Sequence, residues 1–143
     1  MTLPDGGARL RVLPGPRENR FEPETVMKLR SSRYVLSPRS DRMGYRLNGP
    51  PLPWPPGATE LISSATVPGA VQVPPLGQPI LLMADRATTG GYPMIAAVIT
   101  ADLPLAGQLA PGDWIEFAPC TRHEAVAALR EREDALGRVA AHF

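Results

Sequence analysis

The sequence predicts a mainly β, single-domain fold, a barrel or a sandwich, accompanied by two helices. Three observations carry this. The chain has 143 residues, enough for one domain with a respectable core. Its 18 prolines and 13 glycines are spread as punctuation between short apolar runs. Several of those runs alternate apolar and polar residues, the period of a half-buried strand. Many short strands with frequent turns solve their edge problem best by closure, so a closed or nearly closed barrel is expected.

The elements follow in order. Ala8–Leu13 (ARLRVL) alternates and reads as a strand, stopped by Pro14-Gly15-Pro16. Phe21–Ser31 reads as a helix: Pro23 suits its first turn, Glu22 and Glu24 suit the positive end of its dipole, and Val26, Met27 and Leu29 supply an apolar side. Arg33–Leu36 is a short strand, and Met43–Leu47 is another, alternating at Met43, Tyr45 and Leu47. Gly49–Gly57 (GPPLPWPPG) is a proline-rich loop with two readings: a polyproline II ligand for a partner, or a stiff surface loop with Trp54 tucked against the body. The core strand candidates are Leu61-Ile62, Val71–Val73, Ile80–Ala84 and Ile95–Ile99, punctuated at Pro68-Gly69, Pro74-Pro75 with Gly77, and Thr89-Gly90-Gly91. Leu103–Leu109 suits one or two helical turns. Pro111-Gly112-Asp113 is a turn before a clean alternating strand, Trp114–Phe117. Thr121 and Glu124 form a capping box that opens a long helix, with a thin apolar stripe at Val126, Leu129, Leu136 and Val139.

Composition excludes several classes. No apolar run approaches the roughly 18 residues needed to span a bilayer. The first residues lack the basic and apolar regions of a signal peptide. Cys120 is the only cysteine, which rules out an internal disulfide and fits a reducing cytoplasm. The formal net charge is +1 with scattered basic residues, which gives no electrostatic footprint for nucleic acid. Lys28 is the only lysine, and its surroundings match neither a Schiff-base nor a phosphate-loop site. The only histidines are His123 and His142, without paired metal-ligand spacing, so no metal is expected. Neither of the common glycine-rich nucleotide loops is present.

Three stretches carry a family resemblance. They are Ser40–Gly49 (SDRMGYRLNG), Val67–Pro75 (VPGAVQVPP), and Gly77–Ile80 (GQPI) followed by Asp85–Pro93 (DRATTGGYP). Asp102-Leu103, Gln108-Leu109 and Pro111-Gly112-Asp113 follow at matching spacing. Together they resemble the C-terminal part of the allophanate-hydrolase-subunit-2 family. That family includes one subunit of the ATP-dependent 5-oxoprolinase, a sporulation kinase-inhibitor antagonist and the carboxyltransferase half of urea carboxylase. The resemblance implies a cyclophilin-like β-barrel over residues 1–143, the second of a pair, with the family's first half missing. It also implies partners: that missing half, an allophanate-hydrolase-subunit-1-like protein, and a biotin carboxylase or a lactam-utilisation protein. No cofactor is expected on this domain alone, while ATP or carboxybiotin would enter in the full complex. Met94 stands where the family commonly has a basic residue, and Ser64 where it commonly has an acidic one.

Carboxyl transfer and ring opening both develop negative charge on an oxygen, which fixed donors must meet away from water. Thr88, Thr89, Gly90 and Gly91 suit this, because glycines let the backbone approach and hydroxyls add donors. Arg86 can bind a carboxylate bidentately, Asp85 can orient it, and Tyr92 offers a hydroxyl for proton relay or for holding a ureido ring. The structural alternative is a plain strand–loop–strand connection with Asp85 capping the turn. Asp41 and Arg42, with Tyr45-Arg46, form a second polar cluster, either a substrate contact or an ion pair fixing a strand. Gln72 should face away from Val71 and Val73, as an amide contact to substrate or as a solvent-side residue. Two functions remain open: one wall of the active site of a 5-oxoprolinase or carboxyltransferase complex, inactive alone, or a regulatory module that docks a subunit-1-like partner.

Overall fold

A computed structural model describes residues 6–58 and 64–141. Seven strands close into a barrel in the order β1 (Gly7–Pro14), β8 (Met94–Val98), β5 (Ala70–Gln72), β6 (Ile80–Leu82), β3 (Gly44–Asn48), β2 (Arg33–Leu36) and β9 (Trp114–Pro119). All neighbours are antiparallel except β1 and β9, which run parallel from Gly7 opposite Trp114 to Val12 opposite Pro119. A separate two-stranded ribbon pairs β4 (Ser64–Ala65) with β7 (Thr89–Gly90). No helix among the described residues is long and apolar enough to cross a membrane.

Alternation fills the interior. Ala8, Leu10 and Val12 point inward from β1, Tyr34 and Leu36 from β2, Tyr45 and Leu47 from β3, and Ile115 and Phe117 from β9. Each fully buried side chain of this kind contributes about 1.5–3 kcal/mol relative to exposure. Tyr34 keeps its phenol satisfied by donating to the Pro50 carbonyl at 2.8 Å. Burial pushes its pKa up to about 12.

Among the described residues three helices flank the barrel, the shortest of them within the Leu103–Leu109 stretch that suited a helical turn. The first, α1 (Pro23–Ser31), starts on Pro23 and buries Thr25, Val26 and Leu29 against β9. Met27, expected on the apolar side, is 60% exposed, because the three inward positions fall on Thr25, Val26 and Leu29. The second, α2 (Leu103–Ala106), is a single turn following a 3-10 turn at Thr100–Asp102. The third, α3 (Arg122–Ala141), opens with the expected reciprocal cap: the Glu124 amide donates to Thr121 Oγ1 at 3.1 Å, and the Thr121 amide donates to Glu124 Oε1 at 3.0 Å. In its stripe Val126 and Leu136 are exposed, while Val126 and Leu129 border a groove shared with Leu103 and Val67. Val139 lies outside the described side chains, and Leu61-Ile62 and His142 lie outside the described residues.

The proline-rich segment closes one side of the barrel. Leu52 is fully buried, and Trp54 donates from Nε1 to the Val73 carbonyl at 3.0 Å. The turn that receives it needs glycine. Gly77 has φ +87°, its carbonyl accepts the Leu52 amide at 2.8 Å, and an added Cβ would sit 3.0 Å from the Leu52 nitrogen. Met43 lies outside β3 and is 55% exposed, so the inward alternation starts at Tyr45.

Candidate functional site

The strand β5 sends its alternate residues to two different environments. Val71 and Val73 join the barrel core, while Ala70 belongs to a second, smaller cluster with Leu82, Met94 and Ile80. Gln72 shares the outward parity of Ala70. It is nevertheless only 9% exposed, because the β4–β7 ribbon folds back over it. A Cβ on Gly90 would lie 2.7 Å from Gln72 Nε2. Gln72 thus faces away from Val71 and Val73 as its parity requires, and the Asp85–Pro93 segment covers most of the residue.

Thr66 fastens that roof. Its amide donates to the Thr88 carbonyl at 3.0 Å and its hydroxyl to the Ala87 carbonyl at 2.6 Å. Arg86 Nη2 donates to the Thr66 carbonyl at 3.3 Å, and Nη1 to the Ala84 carbonyl at 3.3 Å. Thr89-Gly90 is more than punctuation, since its backbone pairs with Ser64-Ala65. Thr66 escaped sequence reasoning: a threonine ahead of Val67-Pro68-Gly69 reads as turn chemistry, and its partner lies 21 residues away.

Two clefts meet at Gln72. A smaller one, of about 170 Å³, is lined by Thr66, Gln72, Leu82, Ala87 and the run Thr89–Tyr92. A larger one, of about 410 Å³, is bounded by Arg39, Asp41, Arg46, Gln72 and Ile80, among others. Gln72, Leu82 and Ala87 belong to both. Among the described residues the Gln72 carboxamide has no hydrogen-bond partner, and although the residue as a whole is nine-tenths buried its amide atoms stay open to the clefts. A donor and an acceptor held open toward a cleft suit a ligand amide or carbonyl.

The sequence-selected residues divide into two groups. Asp41, Gln72, Thr89, Gly90, Gly91 and Tyr92 line these clefts. Tyr92 also packs edge-on against Trp54, with ring centroids 6.4 Å apart. Asp85, Arg86, Arg42 and Thr88 do not line them. Asp85 pairs with Arg42 at 3.2 Å rather than orienting Arg86, and both partners are well exposed, so the pair contributes little. Arg86 is half-buried with its fork turned onto backbone carbonyls, and its Nε is buried without a partner. Asp41 Oδ1 accepts the amides of Met43 at 2.8 Å and Gly44 at 3.3 Å, which fixes the entry to β3.

No group of three or more potential metal ligands gathers among the described residues. Burial, followed by the charge of Glu124, pushes the Cys120 thiol pKa up, the opposite of an activated nucleophile.

The comparisons with known proteins agree with one another. A 5-oxoprolinase subunit of Escherichia coli (strain K12) is 43% identical over 127 residues, covering 89% of this chain and 41% of the relative. The urea amidolyase of Lachancea kluyveri is 30% identical over 126 residues, covering 80% of this chain and 7% of that protein. The crystal structure of the Kluyveromyces lactis urea carboxylase superposes with a TM-score of 0.85 at 25% identity, over 94% of this chain and 13% of that one. The chain therefore spans about two fifths of the length of the bacterial relative. The carboxyltransferase domain, subdomain A and B, matches residues 2–119, and the chain belongs to this carboxyltransferase-domain family.

Proposed function

We propose that this barrel is the C-terminal half of a protein like the bacterial 5-oxoprolinase subunit or the carboxyltransferase part of urea carboxylase, and that it forms one wall of the active site. The reaction would be ATP-dependent 5-oxoproline hydrolysis or carboxyl transfer from carboxybiotin to a urea-like amide. The observation that carries this reading is the unpartnered carboxamide of the largely buried Gln72, open where the two clefts meet. A lactam and a ureido group each present a carbonyl acceptor beside an N–H donor, and one carboxamide can pair with both. The glycine-bearing roof fixes the carboxamide beside the cleft, and a fixed donor is what a developing oxyanion needs. The chain has no recognisable phosphate-cradling loop, so ATP is assigned to a partner. The rest of the site is assigned to the first half of the relative's chain and to a subunit-1-like protein.

The test is reconstitution. The chain is co-expressed with its first half, with the subunit-1-like partner, and with either a lactam-utilisation protein or a biotin carboxylase. Both ATP-dependent reactions are then assayed. Turnover is expected in one combination and in none that lacks this chain. A stable complex with neither activity would favour the regulatory docking module instead.

A further inference from the structure

We propose that Arg39 and Arg46 form an oxyanion-binding subsite in the larger cleft, one that takes the carboxylate or phosphate end of a ligand whose amide end meets Gln72. The amide end rests on the active-site reading of Gln72, whereas the anion end stands on its own geometry. Arg46 on β3 lies opposite Ile80 on β6, and Ile80 lies opposite Gln72 on β5, so the three residues form one cross-strand row. Two strand spacings, about 10 Å of backbone, separate its ends. Arg46 projects outward between the inward-facing Tyr45 and Leu47, so its long side chain shortens that gap along the outer face.

Arg39 is brought alongside by the loop between β2 and β3. The Ser37 amide donates to the Arg46 carbonyl at 2.8 Å, the Arg46 amide donates to Ser40 Oγ at 3.0 Å, and the Arg39 amide donates to Ser37 Oγ at 3.1 Å. Both arginines thus line the same cleft of about 410 Å³, and both also line the adjoining cleft beside Pro74–Leu76.

Neither has a carboxylate partner among the described residues, while Arg9, Arg11, Arg30, Arg33 and Arg42 each have one. The acid that faces them is Asp41, whose Oδ1 is engaged by two backbone amides, and the nearby Asp85 is paired with Arg42. Two cations and one committed carboxylate leave a net positive cleft, and guanidinium forks match planar carboxylates and phosphates bidentately. The unpartnered Gln72 carboxamide at the other end of the row lines the same cleft, so a ligand spanning it would meet an amide at one end and the two cations at the other.

The experiment uses the 15N-labelled 143-residue chain at constant ionic strength, titrated with acetate, inorganic phosphate, 5-oxoproline and the neutral 2-pyrrolidone. Acetate or phosphate should move the Arg39 and Arg46 Nε–H signals, and whichever binds more tightly identifies the anion. 5-Oxoproline should also move the Gln72 side-chain amide and bind at least tenfold more tightly than 2-pyrrolidone. The Arg39→Gln/Arg46→Gln double variant should abolish that tenfold difference without changing Tm. Anion binding of unchanged affinity in the double variant, or no arginine shifts with any anion, would overturn the subsite. Arginine-dependent anion binding in a chain whose reconstituted complexes turn over nothing would leave the subsite standing and remove only the functional reading.

Discussion

Gly90 shows how little space the site leaves. Its nearest neighbour would be the end of the Gln72 side chain, 2.7 Å from an added Cβ, with Thr66 Cγ2 next at 3.5 Å. A flexible amide can move aside, so Gly90→Ala should cost the fold less than about 1 kcal/mol. It should still displace the carboxamide by an ångström or so, which in a positioned site costs on the order of 10²-fold in activity. Thermal denaturation and the activity of the reconstituted complex read the two effects separately, and a large Tm loss with normal activity would reject the assignment. The residue-level signals were legible unevenly. The polar, glycine-bearing composition of Asp85–Tyr92 marked a segment with something to bind, and Thr89–Tyr92 do line a cleft. Which side chains turn inward was not legible. Arg86 is spent on the carbonyls of Ala84 and Thr66, and Asp85 on Arg42, because the ribbon folds back against a neighbour some 20 residues earlier.

At the scale of elements, α3 carries a signal read from four residues. The Thr121 backbone amide, then its hydroxyl, hold the Glu124 carboxyl pKa below its usual value. A group whose folded-state pKa is depressed stabilises above its unfolded pKa, and that contribution is lost as pH falls through the folded value. Helicity of α3 should therefore decline on acidification through the carboxylate range, as followed by circular dichroism at 222 nm. Thr121→Ala should lower stability by about 1 kcal/mol at neutral pH but keep most of the acid dependence, because alanine retains the backbone amide that Glu124 accepts. Glu124→Gln should flatten the acid dependence, and an unchanged pH profile in that variant would show that the carboxylate of the cap is inert. Capping and alternation were legible because both are local: Arg33–Leu36 emerges with the bounds its sequence suggests, and β1 and β9 with bounds within two residues of theirs. The ribbon of β4 and β7 was not, since two-residue strands have no periodicity to detect.

For the whole molecule, closure depends on β1, which pairs antiparallel with β8 on one side and parallel with β9 on the other. The strand order was invisible in the sequence. Closure could be argued from the problem of unpaired edges, but a parallel pairing of residues more than a hundred positions apart leaves no local trace. The same seam holds the most complete ion pair among the described residues. Asp102, in the 3-10 turn between β8 and α2, accepts Arg11 Nε at 3.0 Å and Nη2 at 2.7 Å, and it also accepts the Arg11 backbone amide at 2.8 Å. The Asp102 side chain is 9% exposed and that of Arg11 45% exposed, so the carboxylate is the buried member. Removing Arg11 strands that charge, and breaking a buried pair from one side costs about 3–5 kcal/mol. The exposure of Arg11 lets water reach the remaining carboxylate, which lowers the expectation for Arg11→Ala to about 2–3 kcal/mol. Arg11→Lys keeps the charge but loses the two-point geometry and should fall between the variant and the parent. Urea denaturation of the three proteins measures this directly. A loss below about 0.5 kcal/mol for Arg11→Ala would class the pair with ordinary surface bridges and leave the β1–β9 ladder to close the barrel unaided.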